Sequence, residues 1–535
     1  MIGRRSSRTL RYYLAGSVSI ATFLVYLPSL RNGFVGWDDG PYVTANPFIR
    51  SLNLDLLRWA FLDFYSYNWH PLTWISHALD YAAWGLDPFG HHLTNLLLHA
   101  ADSLLVTLLA IRLLETAKRT AQGGPAKDFP NESTILVAGG VTGLLFGLHP
   151  VHVESVAWVA ERKDLLCALF FLLAVLGYLK YASGSGSATP VQPPVPRYFD
   201  RWYLFALGCC LLALLSKPMA VSLPFVLLIL DWHPLGRIES PATFRTAVVE
   251  KLPFAVFSLL SSIVTVLAQR SGYAILEEIP LSTRMLVAAK SLIAYLWNMA
   301  WPRDLLPFYP YPRNVSPASP GYVGAAVLVV GITVACVFIA RKRRLWPAAW
   351  SYYVGTLLPV LGIVQVGGQS MADRYTYLPS IGPFLVLGIL AAWGVARVEA
   401  FAKGSRYPGI AAMAGILLLF AVLSGLTVRQ IGIWKSGIDL WSHVIKKEPD
   451  RVLFAYYSRG HALSKAGRYE EAIQDYSKVI ALNYKEFGQT YVDRGLVYMK
   501  VGRAELALAD FRRACALGDD FGCKAALSIE RMLPR

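Results

Sequence analysis

Two adjacent carboxylates stand directly after the first long apolar segment of this chain. Asp38 and Asp39 lie between Trp37 and the turn-forming residues Gly40 and Pro41. A carboxylate beside a bound hydroxyl group can take its proton as a general base. A loop that only connected two membrane segments would not need such a pair. The sequence therefore predicts that Asp38 and Asp39 are the catalytic residues of a site close to a membrane surface.

Three basic residues elsewhere in the chain are candidates for holding an anionic substrate. Arg162, Lys217 and Arg374 lie at ends of apolar segments, on the predicted side of the acidic pair. Guanidinium groups suit bidentate binding of phosphate, and lysine binds it as a point charge. Ordinary interpretations also exist, because the arginines could pair with neighbouring acids and Lys217 could reach lipid headgroups. We expect the three to bind the donor phosphate, which suits group transfer from a lipid phosphate.

Further polar residues flank these candidates in two charged stretches, 149–164 and 369–380. The residues predicted to shape the site are Glu154, Asp164, His152, Asp373 and Tyr375. The pair His149 and His152 could indicate a metal, but no third ligand follows at a suitable spacing. We therefore assign no metal ligand and leave a divalent metal ion open.

Apolar segments long enough to cross a bilayer dominate the chain, which is 55% hydrophobic and only 16% charged. The predicted spans are residues 12–30, 92–114, 135–149, 164–182, 202–216, 219–232, 250–269, 321–340, 346–365, 378–398 and 408–428. The sequence thus predicts an all-α, polytopic membrane protein with about eleven transmembrane helices.

The basic residues orient these spans. They cluster before the first span and then in alternate loops, which places the N-terminus in the cytoplasm and the acidic pair outside. The net charge of +16 then reflects topology and contact with membrane lipid, so nucleic-acid binding is not expected. Residues 283–301 are apolar but contain Arg284 and Lys290, and we expect them to lie in the outer interface.

The first outer loop, residues 31–91, is too long to be a simple connection. Its many Trp, Tyr and His residues argue against disorder. It contains two helix-like stretches, 54–64 and 71–84. We expect a folded loop that lies on the membrane.

The C-terminal part repeats itself with a period of 35 residues, as in Arg459-Gly460 and Arg494-Gly495. A helical repeat of this length, with small residues at helix contacts, resembles tetratricopeptide repeats. Residues 439–447 look like half a repeat that links the last span to the array. Such arrays present a concave groove to peptides or partner proteins.

Two of the six cysteines, Cys515 and Cys523, flank a predicted turn in this part. Antiparallel helices joined there would bring the two side chains face to face, so we predict a disulfide. Two buried thiols are the alternative. A disulfide requires an oxidising compartment, which agrees with an outer location of the repeats.

Four features in the same order resemble the transmembrane and tetratricopeptide repeat-containing (TMTC) proteins and their bacterial relatives. They are the Trp37-Asp38-Asp39 loop, the charged stretch with 149–154 and 162–166, the stretch 373–380, and the trailing repeats. The resemblance covers nearly the whole chain. It implies a C-type glycosyltransferase (GT-C) fold with interfacial helices. Animal members are similar to protein O-mannosyltransferases that use dolichyl-phosphate mannose at the lumenal face.

The resemblance also implies a mechanism. In this superfamily an acidic residue or pair in the first outer loop is catalytic, which carries over to Asp38 and Asp39 without distinguishing them; we favour Asp38. Transfer with inversion at the anomeric carbon is expected. Animal members carry long arrays, whereas this chain has about two full repeats. That difference favours a bacterial protein with a polyprenyl-phosphate sugar donor.

The sequence therefore predicts an enzyme of the bacterial inner membrane in two parts. Residues 1–430 would form the membrane glycosyltransferase domain, and residues 439–535 a periplasmic repeat domain. The enzyme would move a monosaccharide to a periplasmic acceptor, a protein or peptide bound through the repeats. One alternative is a membrane-anchored repeat scaffold for envelope assembly. Another is a transporter, but its charged residues should lie near mid-membrane rather than at span ends.

Overall fold

Helices form most of the computed structural model, which describes residues 2–121, 131–184, 196–269, 279–313, 315–363, 368–401, 407–449, 451–482 and 488–532. The helices up to the last long apolar one are α1 (Ile2–Tyr26), α2 (Leu54–Leu62), α3 (Pro71–Trp84), α4 (Pro88–Ala121), α5 (Glu132–Leu148), α6 (Val153–Ala157), α7 (Arg162–Ser183), α8 (Arg201–Ser216), α9 (Leu223–Trp232), α10 (Pro241–Gln269), α11 (Leu281–Ala300), α12 (Pro320–Ile339), α13 (Leu345–Leu357), α14 (Ile381–Phe401) and α15 (Tyr407–Ile433). Those that follow are α16 (Gly437–Lys447), α17 (Leu453–Lys465), α18 (Tyr469–Ala481), α19 (Gly488–Lys500), α20 (Ala504–Ala516) and α21 (Asp520–Met532). Two short antiparallel strands, β1 (Tyr309–Pro310) and β2 (Gln369–Met371), pair with each other.

Seven helices among the described residues are long and apolar enough to cross a membrane. They are Thr9–Arg31, Pro88–Thr120, Val159–Ser183, Pro241–Gln269, Pro320–Ile339, Ile381–Phe401 and Tyr407–Ile433. An eighth candidate is α5 followed by Pro150–Ala157, bent by 48°, and α8 and Pro218–Trp232 are shorter apolar helices. The all-α class and the multi-pass membrane character are confirmed.

The predicted number of eleven spans stays a prediction. The predicted span 346–365 contains α13, which has 13 residues, and its last two residues, 364–365, lie outside the described residues. Helix α11 covers the stretch expected in the outer interface. It is not among the described helices that are apolar enough to cross.

Helices α4, α5 and α14 approach closely because small residues lie at their contacts. A Cβ atom added at Gly143 would lie 1.9 Å from Oγ1 of Thr107, and one added at Gly388 would lie 2.4 Å from Oγ1 of Thr142. Larger side chains at these glycines would push the helices apart. The packing holds the three helices side by side, and the candidate site lies near their ends on the predicted outer side.

The first outer loop is folded, as predicted from its aromatic content. Helices α2 and α3 match the two predicted helical stretches. The side chain of Asn53 accepts a hydrogen bond from the backbone N–H of Leu56 at 2.9 Å and so begins α2. Trp59 on α2 and Trp74 on α3 pack with ring centroids 5.4 Å apart. The loop can therefore support the acidic pair rigidly.

A buried group of charges, here called the inner charge network, joins α7, α9 and α10 at the predicted cytoplasmic side. Its members are Tyr178, Asp231, Arg237, Glu250 and Lys251. The Tyr178 hydroxyl lies 2.7 Å from Asp231 and 2.8 Å from Glu250. Arg237 reaches the same acids at 2.8 and 2.7 Å, and Lys251 pairs with both. The charges of two acids and two bases sum to zero, so each buried charge has an opposite charge beside it.

Helices α17 to α20 form two equivalent pairs, which agrees with the predicted 35-residue period. Arg459 on α17 donates to both carboxylate oxygens of Asp475 on α18, at 2.7 Å each. Arg494 on α19 donates in the same way to Asp510 on α20, at 2.8 and 2.7 Å. The 35-residue repeat of the sequence therefore places an equivalent arginine–aspartate ion pair between the two helices of each pair.

The two ends of this array also match their predictions. Helix α16 corresponds to the predicted half repeat between the last apolar helix and the first full pair. Cys515 and Cys523 form the predicted disulfide across the turn between α20 and α21.

Candidate active site

Asp38 lines a cavity of about 530 Å³. The cavity is bordered by the first outer loop, the start of α7, the turn between α8 and α9, and the segment before α14. Its charged lining residues are Asp38, Glu161, Lys163, Lys217 and Arg374, here called the outer charge cluster. These residues come from four separate stretches of the chain, around positions 38, 161–163, 217 and 374, so the helix packing creates the cluster.

Asp39 does not share this position, because its carboxylate is used to hold the backbone. Its two oxygens accept hydrogen bonds from the N–H groups of Val35 and Ala160, at 2.9 Å each. The residue is only 1% exposed. Burial raises the pKa of Asp39 to about 7, although the two N–H groups act in the opposite direction. Asp39 thus joins the outer loop to the segment before α7.

Asp38 is half-buried, and its carboxylate accepts no hydrogen bond from the described part of the chain. Burial raises its pKa, while the nearby ammonium group of Lys163 lowers it. Gly36, two residues before Asp38, has φ of +81°, a conformation that favours glycine. Of the two acids, Asp38 is the one whose carboxylate can meet a substrate.

Glu161 holds the three basic members of the cluster together. One oxygen lies 3.0 Å from Lys163 Nζ and 3.4 Å from Arg374 Nε, and the other lies 3.3 Å from Lys217 Nζ. The charged stretch containing Glu161 is visible in the sequence, where a neighbouring ion pair is the natural interpretation. Nothing in the stretch indicates partners from two distant segments.

Glu154 and Asp164, two of the residues predicted to shape the site, form ion pairs with two of the cations of the cluster. The guanidinium of Arg374 pairs with one oxygen of Glu154, and the backbone N–H of Arg374 donates to the other at 3.0 Å. Lys217 Nζ lies 2.5 Å from Asp164. In these ion pairs, Lys217 and Arg374 have further N–H groups that donate no hydrogen bond to a described residue.

Arg162 does not line the cavity, so its position does not support the predicted contact with phosphate. The guanidinium is buried and pairs with Asp80, donates to Asn95 Oδ1 at 2.7 Å, and donates to the carbonyl of His91 at 2.6 Å. Consecutive residues on a helix point about 100° apart. Arg162 therefore faces α3 and α4, and Lys163 faces the cavity in its place.

The remaining shaping residues have different positions. Tyr375 lines the cavity, with its ring centroid 4.9 Å from the guanidinium carbon of Arg374. His152 and Asp373 are buried elsewhere. His152 contacts the Phe146 carbonyl and Ser380 Oγ, and Asp373 accepts hydrogen bonds from Asn298 and Tyr309. These two support the walls and do not reach the cavity.

Two further lining residues from the outer loop, Asn68 and His70, are absent from the predicted set. The Tyr42 hydroxyl lies 3.2 Å from His70 Nδ1. No local pattern distinguishes these two residues from the many other polar and aromatic residues of the loop. Within the described ranges, no group of three or more His, Cys, Asp or Glu side chains could hold a metal ion.

Comparison with known proteins finds relatives along most of the chain. It is 25% identical to Protein O-mannosyl-transferase Tmtc3 of Drosophila melanogaster over 88% of its length, and 25% identical to TMTC4 of Mus musculus over 76%. The resemblance to TMTC proteins is confirmed. The chain spans 55% and 57% of these two relatives, so it matches little more than half of their length.

Two other comparisons concern the parts of the molecule. A family model described as Tetratricopeptide repeat matches residues 454–483, which cover most of α17 and α18. The crystal structure of ArnT from Cupriavidus metallidurans bound to undecaprenyl phosphate aligns with 82% of this chain and 79% of that chain. Its TM-score is 0.35 and its sequence identity 14%.

Proposed function

We propose that this protein is a GT-C membrane glycosyltransferase that moves a monosaccharide from a polyprenyl-phosphate donor to a hydroxyl group of a protein or peptide. The relatives are named protein O-mannosyl-transferases, which supports protein O-glycosylation as the reaction. A bacterial inner membrane is the proposed location, with the N-terminus in the cytoplasm. The disulfide between Cys515 and Cys523 supports placing the repeats in the oxidising periplasm.

The observation that carries this proposal is the composition of the cavity wall. A carboxylate without a hydrogen-bond donor among the described residues, Asp38, shares the cavity with Lys163, Lys217 and Arg374. Deprotonating an acceptor requires the carboxylate, and stabilising a departing phosphate requires the cations. A passive scaffold needs neither in a cavity.

The chemical step follows from this arrangement. The acceptor oxygen forms a bond to the anomeric carbon, while the bond from that carbon to the phosphate oxygen breaks. The electron pair leaves with the lipid phosphate, which the three cations stabilise. The acceptor proton moves to Asp38. Attack opposite the leaving group inverts the anomeric configuration, as the resemblance implies.

The two parts of the chain would divide the work. Residues 1–430 would hold the donor and carry out transfer, and residues 439–535 would bind the acceptor in the groove of the repeats. The likeness to relatives that act on proteins supports a polypeptide acceptor.

The test compares the two neighbouring acids in the purified full-length protein. Asp38→Asn should lower kcat by roughly 10²- to 10⁴-fold, because it removes the general base, and should leave the melting temperature nearly unchanged. Asp39→Asn places an amide donor against one of two backbone N–H donors. It should lower thermal stability more than it lowers turnover of the folded protein.

Full activity in both folded variants would exclude this mechanism. A larger loss of kcat in Asp39→Asn than in Asp38→Asn would assign the general base to Asp39 instead of Asp38.

A further inference from the structure

The loop that carries Asp38 packs against the end of α15 and the start of α16, the helix that begins the repeat array. The backbone N–H of Gly33 donates to the Lys435 carbonyl at 2.9 Å, and Asn32 donates to the Ile431 carbonyl at 3.2 Å. A Cβ atom added at Gly437 would lie 2.6 Å from the carbonyl oxygen of Val35. The first residue of α16 therefore touches the backbone just before the acidic pair.

Trp37, the residue directly before Asp38, lies between two other tryptophans. Its ring stacks on Trp158 at 4.4 Å between centroids and contacts Trp441 of α16 at 4.9 Å. Both partners are 1% exposed, and Phe454 of α17 completes the contact at 6.4 Å. The aromatic group spans the membrane part and the repeat array without a gap.

Helix α16 also contacts the segment that follows α11. His443 Nε2 lies 3.3 Å from the carbonyl of Leu305, and Lys447 pairs with Asp304 at 2.5 Å. A few residues later, Tyr309 donates to Asp373, the neighbour of Arg374. The same helix thus supports the acid side of the cavity directly and its cation side through Tyr309.

We propose that Trp441 is a positioning residue that fixes Trp37, and through it Asp38, so that α16 is part of the active-site structure. This inference rests on the proposed role of Asp38 as the base. The predicted repeat domain, residues 439–535, then begins inside a helix that the site requires. The repeats are coupled to transfer through packing as well as through binding of an acceptor.

The experiment measures kcat and KM for a lipid-phosphate sugar donor with a short hydroxyl-containing peptide, per folded molecule of full-length protein. Trp441→Ala should lower kcat by about ten- to a hundredfold, because a small misplacement of a catalytic group has effects of this size. KM for the donor should change much less, since Trp441 does not touch the three cations. Trp441→Phe should restore kcat, because it keeps an aromatic contact.

A second variant acts on the same contact without removing the aromatic ring. Gly437→Ala adds a methyl group against Val35 and should lower kcat in the same way. If Trp441→Ala does not fold, kcat of Gly437→Ala tests whether the contact between α16 and the loop positions Asp38. The matched control is Trp393→Ala on α14, where the side chain is 57% exposed and lies outside the site.

Two results would overturn the proposal. One is wild-type kcat in folded Trp441→Ala and Gly437→Ala, and the other is an equal loss in Trp393→Ala. These results differ from failure of the proposed function, which Asp38→Asn reports separately by retaining activity.

Discussion

Both buried charge groups of the membrane part contain acids, bases and a tyrosine nearby, but only one of them is left incompletely satisfied. In the inner charge network, Asp231 and Glu250 are matched by Arg237 and Lys251, and the Tyr178 hydroxyl lies within hydrogen-bond distance of both acids. In the outer charge cluster, the carboxylate of Asp38 accepts no hydrogen bond from the described residues. The inner group joins helices, whereas the outer group borders a cavity.

The difference shows that buried charge by itself does not identify a site. A saturated group of charges has no remaining donors or acceptors for a substrate. The outer cations instead form ion pairs with Glu154, Asp164 and Glu161, and further N–H groups of Lys217 and Arg374 donate to no described residue. Removing one charge from each region should therefore have different consequences.

The largest effect is expected in the inner charge network. Lys251→Met leaves Asp231 and Glu250 with a single base, and breaking a buried pair costs about 3–5 kcal/mol. The free energy of unfolding and the yield of folded protein should fall accordingly. Turnover per folded molecule should remain near wild type.

Thermal unfolding in detergent and kcat of the folded fraction check this prediction. A loss of kcat without a loss of stability would mean that the inner charge network takes part in the reaction.

The next effect is expected at Arg374. Arg374→Lys keeps the charge but loses the planar group that pairs with Glu154 and approaches Glu161. Removing one stabilising donor from a developing anion costs roughly 10²-fold in rate. We expect kcat/KM for the donor to fall by that order, with a smaller change in melting temperature than Lys251→Met causes.

Steady-state kinetics with varied donor concentration measure this loss. Unchanged kcat/KM in the folded variant would remove Arg374 from the phosphate site.

The smallest effect is a displacement of the pH profile. The proposed base, Asp38, can take a proton only when it is ionised, so activity should be lost as the pH falls through its folded-state pKa. Burial raises this pKa and Lys163 lowers it; Arg374 and Lys217 lower it further, and Glu161 raises it. Lys163→Gln should therefore move the acid limb of kcat/KM to higher pH.

The pH profile of the wild type is the reference. Arg162→Gln is not a suitable control, because Arg162 forms a buried ion pair with Asp80 and its removal would disturb the fold. Trp393→Ala should leave the profile in place. A displacement of the acid limb to lower pH in Lys163→Gln would contradict the assignment of that limb to Asp38.

Several features were predictable because they depend on local sequence. The lengths of the apolar segments predicted where the long helices lie, and the 35-residue period predicted the helix pairs of the repeats. The turn between Cys515 and Cys523 predicted their disulfide. The residue types at Asp38, Lys217 and Arg374 indicated an acid and cations, and all three line one cavity.

Other features depend on direction and distance, which no local pattern contains. The role of Glu161 needs partners from three segments, and the contact of Trp441 with Trp37 joins residues about 400 positions apart. His152 and Asp373 are polar residues next to the site, but the helix packing buries their side chains behind the cavity wall.

By itself, the sequence determined that this is an all-α membrane protein with a repeat array and charged groups at the ends of its apolar segments, because length, composition and period are local properties. Only the tertiary structure decided between neighbours: Asp38 over Asp39, and Lys163 over Arg162. The physical reason is that adjacent side chains point in different directions. Which of them meets a cavity and which meets the backbone or a buried partner depends on the helices packed around them.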